Sequence, residues 1–247
     1  RIREVRSGMI NWIGLENVGI DAFVENKLPI LLEKKINFIV NIAGSSIDDY
    51  VELAKICEIN SIKAIELNAS CPNVKNGCLE FGKSPEMIEK LVSSVREVYS
   101  GTLIIKLGAN VSYPVQMAQT VEKSGADAIS AINTLKGMDV KAQIRNGKIT
   151  TSIINGGLSG PCIKPVALNF INEIRNSVSI PIIGMGGIAC IEDVIDFVVV
   201  GSSAIQVGTA NFTHPGISEK LVDDLENLLI EQGIKSFSEL TGEQLCK

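Results

Sequence analysis

Residues 65–76 read IELNASCPNVKN. The segment begins as an apolar strand and ends at Cys71 and Pro72, because proline cannot continue the hydrogen-bonded ladder of a central strand. Two amides, Asn68 and Asn73, flank the thiol. This composition predicts a strand end that binds a small polar ligand; the alternative is a plain turn with an inert, buried cysteine.

The same kind of apolar segment recurs along the chain, and predicted helices separate most of the repeats. We expect strands at residues 36–43, 64–70, 103–107, 128–133, 180–184 and 204–207, and helices at 20–34, 48–57, 84–99, 114–124, 165–176, 191–200 and 215–232. Continuous rather than alternating apolarity indicates strands covered on both faces. Regular alternation of strands and helices therefore predicts a parallel α/β sheet with right-handed crossovers.

Two parallel folds fit this pattern, an open doubly wound sheet and a closed TIM (β/α)8 barrel. Glycine pairs in the last two units favour the barrel, since barrels bind phosphate after their seventh and eighth strands. Six strands are two too few for closure, and the chain begins abruptly at Arg1. We therefore expect the first two strand–helix units to precede residue 1, with residues 1–247 forming one domain, the C-terminal three quarters of a barrel.

The segments outside this repeat carry weaker signals. Residues 1–7 are predicted to be the tail of a preceding element. Residues 8–17 contain glycines and an asparagine and could form a loop over the site, but taken alone they favour an ordinary connector. Asn146-Gly147 lies between short alternating stretches and predicts a hairpin over residues 144–149.

Composition excludes several classes of function. The 247 residues carry a net charge of −5, which argues against a general nucleic-acid-binding protein. A single histidine and six cysteines without a CxxC pair predict no metal site. Free thiols indicate a reducing, cytoplasmic location. No apolar run approaches the roughly 18 residues that span a bilayer.

Several residues at predicted strand ends are candidates for ligand binding. Gly186-Gly187 and Gly208-Thr209 each lie where a strand leads into a helix, where exposed backbone N–H groups bind phosphate; two tight turns are the alternative. Lys106 lies in an otherwise apolar strand, where an ammonium group requires an anionic partner. Glu66 could orient Lys106 or simply fill the barrel interior, and the sequence leaves both open.

Amides and one thiol complete the candidate site. Asn11, Asn68, Asn73, Asn133 and the neighbouring Thr134 offer donors and acceptors to a planar ring with alternating N–H and C=O groups. Without a suitably placed histidine, Cys71 is the best candidate for a general base, provided that its site lowers the thiol's ordinary pKa of about 8.5.

An ordered set of motifs resembles class 1 dihydroorotate dehydrogenases, from residue 1 to the final helix. The motifs are NASCPN at 68–73, INT at 132–134, GLSGP at 157–161, IIGMGG at 182–187 and QVGTAN at 206–211. The segment INTLKGM at 132–138 and the GMGG turn resemble most closely the B type, the catalytic subunit that passes electrons to NAD through a partner. The resemblance implies a (β/α)8 barrel that binds FMN and oxidises dihydroorotate to orotate in pyrimidine biosynthesis.

The resemblance also implies roles for individual residues. Cys71 would take a proton from C5 of dihydroorotate while C6 gives a hydride to the flavin. FMN contacts would come from Asn41, Asn68, Lys106, Ile132, Gly160, Gly186, Gly187, Gly208 and Thr209. Orotate-binding positions would be Asn11, Trp12, Ile13, Gly14, Leu15, Asn68, Asn73, Asn133 and Thr134. The family also uses a serine and a lysine from its first two strands, which this sequence does not contain.

The resemblance implies partners as well. A homodimer is expected, joined into a heterotetramer by a subunit that carries FAD and a [2Fe–2S] cluster. Three alternatives stay open: an A-type enzyme that uses fumarate, a flavin barrel that reduces uridine in transfer RNA, and a degenerate barrel that serves as a scaffold. The transfer-RNA enzyme would need a basic surface, which the net charge of −5 does not suggest.

Overall fold

The computed structural model describes residues 1–70, 81–146 and 148–240. The predicted site residues Cys71 and Asn73 lie outside these ranges. The strands are β1 (Ile2–Val5), β2 (Gly8–Asn11), β3 (Val40–Ile42), β4 (Ala64–Asn68), β5 (Thr102–Leu107), β6 (Ala128–Ala131), β7 (Leu135–Arg145), β8 (Lys148–Ser159), β9 (Ile182–Met185) and β10 (Ala204–Gln206).

Helices follow most of the parallel strands. They are α1 (Ile20–Asn26), α2 (Leu28–Glu33), α3 (Ile47–Ile59), α4 (Pro85–Arg96), α5 (Pro114–Lys123), α6 (Lys164–Ile174), α7 (Ile191–Val199), α8 (Ala210–Thr213) and α9 (Ile217–Glu231), with 3₁₀ turns at Phe81–Lys83, Pro161–Ile163 and Phe237–Leu240. In the part of the chain that the structure describes, no helix is both long and apolar enough to cross a bilayer.

Six strands form one parallel sheet in the order β10-β9-β6-β5-β4-β3. This confirms the prediction of a parallel α/β sheet built from these six segments. The order follows the sequence without reversal, whereas a doubly wound sheet reverses its strand order at a switch point. The doubly wound alternative is therefore wrong for this chain.

The helices cover one face of this sheet and form the main core with it. Strand residues such as Ile65, Leu67 and Ile105 are fully buried there. Helix α4 faces them with Ile88, Leu91, Val92 and Val95, whose spacing of three and four residues places them on one side of the helix. Since neighbouring strand residues point to opposite faces, Glu66 and Lys106 lie on the other face of the sheet.

Local capping signals explain where several helices begin. The Ser84 hydroxyl accepts a hydrogen bond from the Met87 N–H, and Pro85 occupies the first helical position of α4. Ser46 and Asp49 form a capping box at the start of α3. Gly125, with φ of 97°, ends α5 in the left-handed conformation that glycine adopts readily.

The N-terminal residues differ from the prediction of a tail and a loop. Strands β1 and β2 form an antiparallel hairpin, and β2 pairs with β8 to give a second sheet in the order β1-β2-β8-β7. Asn11 lies opposite Gly157 in this sheet. The pairing partners are so distant in sequence that the local pattern of residues 1–11 does not reveal them.

Other boundaries also differ from the predictions. Residues 20–34 form two short helices, the strand predicted at 36–43 is only Val40–Ile42, and the last long helix starts at Ile217. The predicted hairpin is correct in place but extends over both long strands β7 and β8. One face of this hairpin carries exposed apolar side chains, namely Met138, Val140, Ile144, Ile149 and Ile153.

Candidate active site

A buried carboxylate lies at the centre of the sheet face that points away from the helices. The Glu66 side chain on β4 is 4% exposed and accepts hydrogen bonds from three neutral side chains. Asn41 donates to Oε1 at 2.6 Å, Ser130 donates to Oε2 at 2.6 Å and Gln206 donates to Oε2 at 3.1 Å. These partners come from β3, β6 and β10, so the group joins strands across the whole sheet.

Lys106 on β5 provides the positive charge for this group. Its Nζ lies 3.5 Å from Glu66 Oε1, and its side chain is 20% exposed. The lysine therefore has the anionic partner that its apolar strand requires. Of the two roles that the sequence left open for Glu66, the structure shows the pairing with Lys106, and it shows that the Glu66 side chain is buried.

Amides cluster at the C-terminal ends of β4 and β6. Asn133 Nδ2 donates to Asn68 Oδ1 at 2.9 Å and to Ser70 Oγ at 3.3 Å. Asn133 Oδ1 accepts a hydrogen bond from the Thr134 N–H. The Tyr50 hydroxyl, from α3 behind the sheet, donates to the Asn68 carbonyl at 2.7 Å. Two predicted ligand-binding amides are thus in direct contact.

The two glycine turns and Lys106 share one cavity. This cavity has a volume of about 780 Å³ and is lined by Lys106, Ile132, Asn133, Thr134, Gly160, Gly186, Gly187, Gly208 and Thr209, among others. Gly186 and Gly187 have φ of 124° and 87°, and a side chain on Gly187 would clash with the Gly160 carbonyl. In the part of the chain that the structure describes, a β-carbon on Gly208 would meet no atom within 4 Å.

Other predicted residues lie elsewhere. Asn11 donates a hydrogen bond to the Gly157 carbonyl and, like Asn41 and Asn68, is not among the described residues that line the cavity. Trp12, Ile13, Gly14 and Leu15 are not among the described residues that line the cavity. Gly14 and Leu15 line a separate cleft beside Asp49.

Sequence reasoning missed an ion-paired brace behind the Gly186-Gly187 turn. Lys164 at the start of α6 contacts Asp193 at 2.5 Å and Asp196 at 2.6 Å. Asp193 also accepts hydrogen bonds from the Ala189 and Cys190 N–H groups. An acidic residue three positions after Cys190 is a helix-start signal that could have identified the acceptor. The brace fixes the turn that follows β9.

Replacing Asp193 with asparagine should lower the free energy of unfolding by about 1–2 kcal/mol at pH 7. Burial alone would raise the pKa of Asp193, but hydrogen bonds from Lys164 and Ala189 outweigh it and lower this pKa. The stabilisation is therefore present above the unfolded pKa of about 4 and is lost as pH falls through the lower folded value. Urea unfolding of the wild-type protein and the Asp193→Asn variant between pH 3 and 7 measures this loss of stabilisation.

The control for this experiment is Asp196→Asn. Asp196 contacts the same lysine, but its side chain is 52% exposed, so its loss should cost less than about 1 kcal/mol. Two results would contradict the brace. One is an equal loss of unfolding free energy for the two substitutions; the other is a loss for Asp193→Asn that stays the same as the pH falls.

The described cysteines are poor candidates for a base. Burial raises the pKa of Cys57 to about 11, and burial is also the main cause of the raised pKa of Cys190. Cys162 is exposed, and its thiol faces the Ser159 carbonyl. His214, the single histidine of the sequence, is exposed and lies on the cavity wall.

Comparison with known proteins agrees with this geometry. The family model described as dihydroorotate dehydrogenase matches residues 1–229. The chain is 46% identical over 243 residues to a protein of Parabacteroides distasonis, covering 98% of this chain and 79% of that protein. It is 45% identical over 243 residues to one of Bacillus pumilus, covering 98% and 78%. Both relatives are named dihydroorotate dehydrogenase B (NAD(+)), catalytic subunit.

The match extends over nearly the whole chain and includes every strand of the parallel sheet. A match of this length, together with relatives that are 45–46% identical, shows that this chain belongs to the dihydroorotate dehydrogenase family.

Proposed function

We propose that this protein oxidises dihydroorotate to orotate in pyrimidine biosynthesis, with FMN as its cofactor. The observation that carries the proposal is the single cavity that joins Lys106, the Asn133–Thr134 strand end and both glycine turns. Such a cavity offers backbone N–H groups for a phosphate, a cation for an electron-rich ring and amides for a small planar acid.

The cavity fits FMN in size and in chemistry. Its volume of about 780 Å³ lies within the range of cofactor sites. Gly186, Gly187, Gly208 and Thr209 would hold the phosphate, and the open space at Gly208 is where a side chain would obstruct it. Lys106 would face the ring, with Asn41, Asn68, Ile132 and Gly160 as further contacts. Bound FMN would supply the acceptor for the hydride that leaves C6 of the substrate.

The chain's own residues would bind the substrate and move a proton. Asn68, Asn133 and Thr134 would orient the acid, and Asn11 and Asn73 would complete the set. We assign the general base to Cys71, which follows directly on the Asn68–Ser70 strand end. Its thiolate would take the proton from C5 and hold it on sulfur. Exclusion of water from this end of the sheet would protect that step.

The six parallel strands are proposed to be part of a single (β/α)8 barrel domain. Strand order without reversal supports this, as does the position of the candidate site at the C-terminal ends of the strands. In that arrangement, Glu66 and its partners lie inside the barrel and the helices form the outer layer.

The B-type names of the relatives support a second subunit for electron transfer. We propose that electrons pass to NAD through a partner that carries FAD and a [2Fe–2S] cluster, and that the catalytic chain forms a dimer within that complex. The exposed apolar face of the β7–β8 hairpin is the kind of surface that contacts other proteins. The free thiols Cys57, Cys162 and Cys190 favour the cytoplasm.

The test is made with the purified protein reconstituted with FMN. Anaerobic addition of dihydroorotate should bleach the flavin absorbance and yield an equal amount of orotate. Reduction of NAD should require the co-purified iron–sulfur partner. If fumarate is reduced without that partner, the A-type alternative replaces the B type; if dihydroorotate leaves the flavin oxidised, the proposal fails.

Substituting Gly208 with alanine should weaken FMN binding at least tenfold without lowering stability. The new methyl group would meet no atom of the described residues within 4 Å, but it would occupy the space assigned to the phosphate. Fluorescence titration of the flavin-free protein with FMN measures the affinity. Gly216→Ala is the matched control, because its methyl group would also meet open space and Gly216 does not line the cavity.

A further inference from the structure

Glu66 stands out because no step of the proposed reaction uses it. It is buried, it carries a formal charge, and it is in contact with four side chains from four other strands. Burial of a carboxylate is costly unless the charge is both paired and hydrogen-bonded. Here both conditions are met, which indicates that the carboxylate is held in one place.

Two of the four side chains that contact Glu66 also line the cavity. Oε2 accepts from Ser130 and Gln206, while Oε1 accepts from Asn41 and faces Lys106 at 3.5 Å. Lys106 and Gln206 both line the cavity. A lysine has a long, flexible side chain, so a fixed ammonium position requires an external anchor.

We propose that Glu66 is a positioning residue: its immobilised carboxylate holds the charged end of Lys106 at the cavity wall and offsets part of that charge where the flavin ring would lie. The neutral donors Asn41, Ser130 and Gln206 fix the carboxylate without competing with Lys106 for its charge. The second part of this role rests on the proposed FMN function, whereas the anchoring of Lys106 does not.

Glu66→Gln tests the anchor directly, because glutamine keeps the size of the side chain and removes its charge. The readout is acylation of the flavin-free protein with an N-hydroxysuccinimide ester, followed by peptide mass spectrometry at Lys106. Loss of the carboxylate should free the amine and accelerate its labelling at least tenfold. Labelling at the wild-type rate would overturn the proposal, whether or not the protein oxidises dihydroorotate.

Two further variants keep the result interpretable. Glu122→Gln is the matched control, since Glu122 accepts hydrogen bonds from Ser179, shortly before β9 and away from Lys106; labelling of Lys106 should not change. Glu66→Asp retains the charge, but its shorter side chain places the carboxylate farther from Lys106. The rate of Lys106 labelling should therefore lie between those of wild type and Glu66→Gln. If Glu66→Gln does not fold, an unchanged rate in Glu66→Asp overturns the anchor.

The electrostatic part is measured on the FMN-loaded protein. Removal of the negative charge beside Lys106 should favour the reduced, more negative flavin by about tenfold, or roughly 30 mV for two electrons. A reductive titration against a reference dye gives this value. A purely structural role for Glu66 would lower stability and leave the potential unchanged, which would contradict this part of the proposal.

Discussion

Replacement of Cys71 with alanine should lower dihydroorotate oxidation by about 10²- to 10⁴-fold, the usual contribution of a positioned general base. FMN should remain bound, because the glycine turns and Lys106 make its proposed contacts. Residual turnover should increase with pH as hydroxide takes over the proton transfer. Flavin bleaching under single-turnover conditions, followed from pH 6 to pH 10, measures both effects.

Cys162→Ala provides the matched control for this substitution. Its thiol is exposed and contacts the Ser159 carbonyl, so turnover should stay within twofold of wild type. Wild-type turnover in the Cys71 variant would show that another group acts as the base.

Loss of Lys106 should have the largest effect on stability. Among the described residues, Lys106→Met leaves the buried Glu66 carboxylate with neutral donors alone. Removal of one partner of a buried ion pair costs about 3–5 kcal/mol. Because Asn41, Ser130 and Gln206 remain, we expect a loss near the lower end, about 3 kcal/mol. Urea unfolding of the flavin-free protein at pH 7 measures it.

The double variant Lys106→Met with Glu66→Gln separates the contribution of the ion pair to stability from that of side-chain packing. It should be more stable than Lys106→Met alone, with a coupling energy of about 1–3 kcal/mol. Lys55→Met, at an exposed position on α3, should change stability by less than about 0.5 kcal/mol. Additive single effects would show that the two side chains do not depend on each other.

The parallel sheet could be predicted because its signals are local. An apolar strand such as Leu103–Leu107 and a serine–proline helix start such as Ser84-Pro85 each need only neighbouring residues. The β1–β2 hairpin could not, because β2 is completed by β8, which is more than a hundred residues away. Short strands without their partner carry little signal of their own.

The candidate site, like the fold, could be predicted from the sequence only in part. Lys106, Asn133 and both glycine turns lie at strand ends in the sequence pattern, and this position alone predicts that they share one cavity. The contacts among them depend on register: Lys106 lies opposite Asn68 and Ser130, and Asn41 lies opposite Glu66. A single sequence contains no measure of that alignment, which is why it left the role of Glu66 open and did not predict the Lys164–Asp193 brace.

The hydrogen bond from Tyr50 to the Asn68 carbonyl has a consequence for engineering. Tyr50 belongs to the outer helical layer, yet it holds the main chain three residues before Cys71. Directed evolution of substrate preference that samples only residues of the proposed substrate site would therefore omit a position that holds the main chain at Asn68. Libraries for this enzyme should include α3.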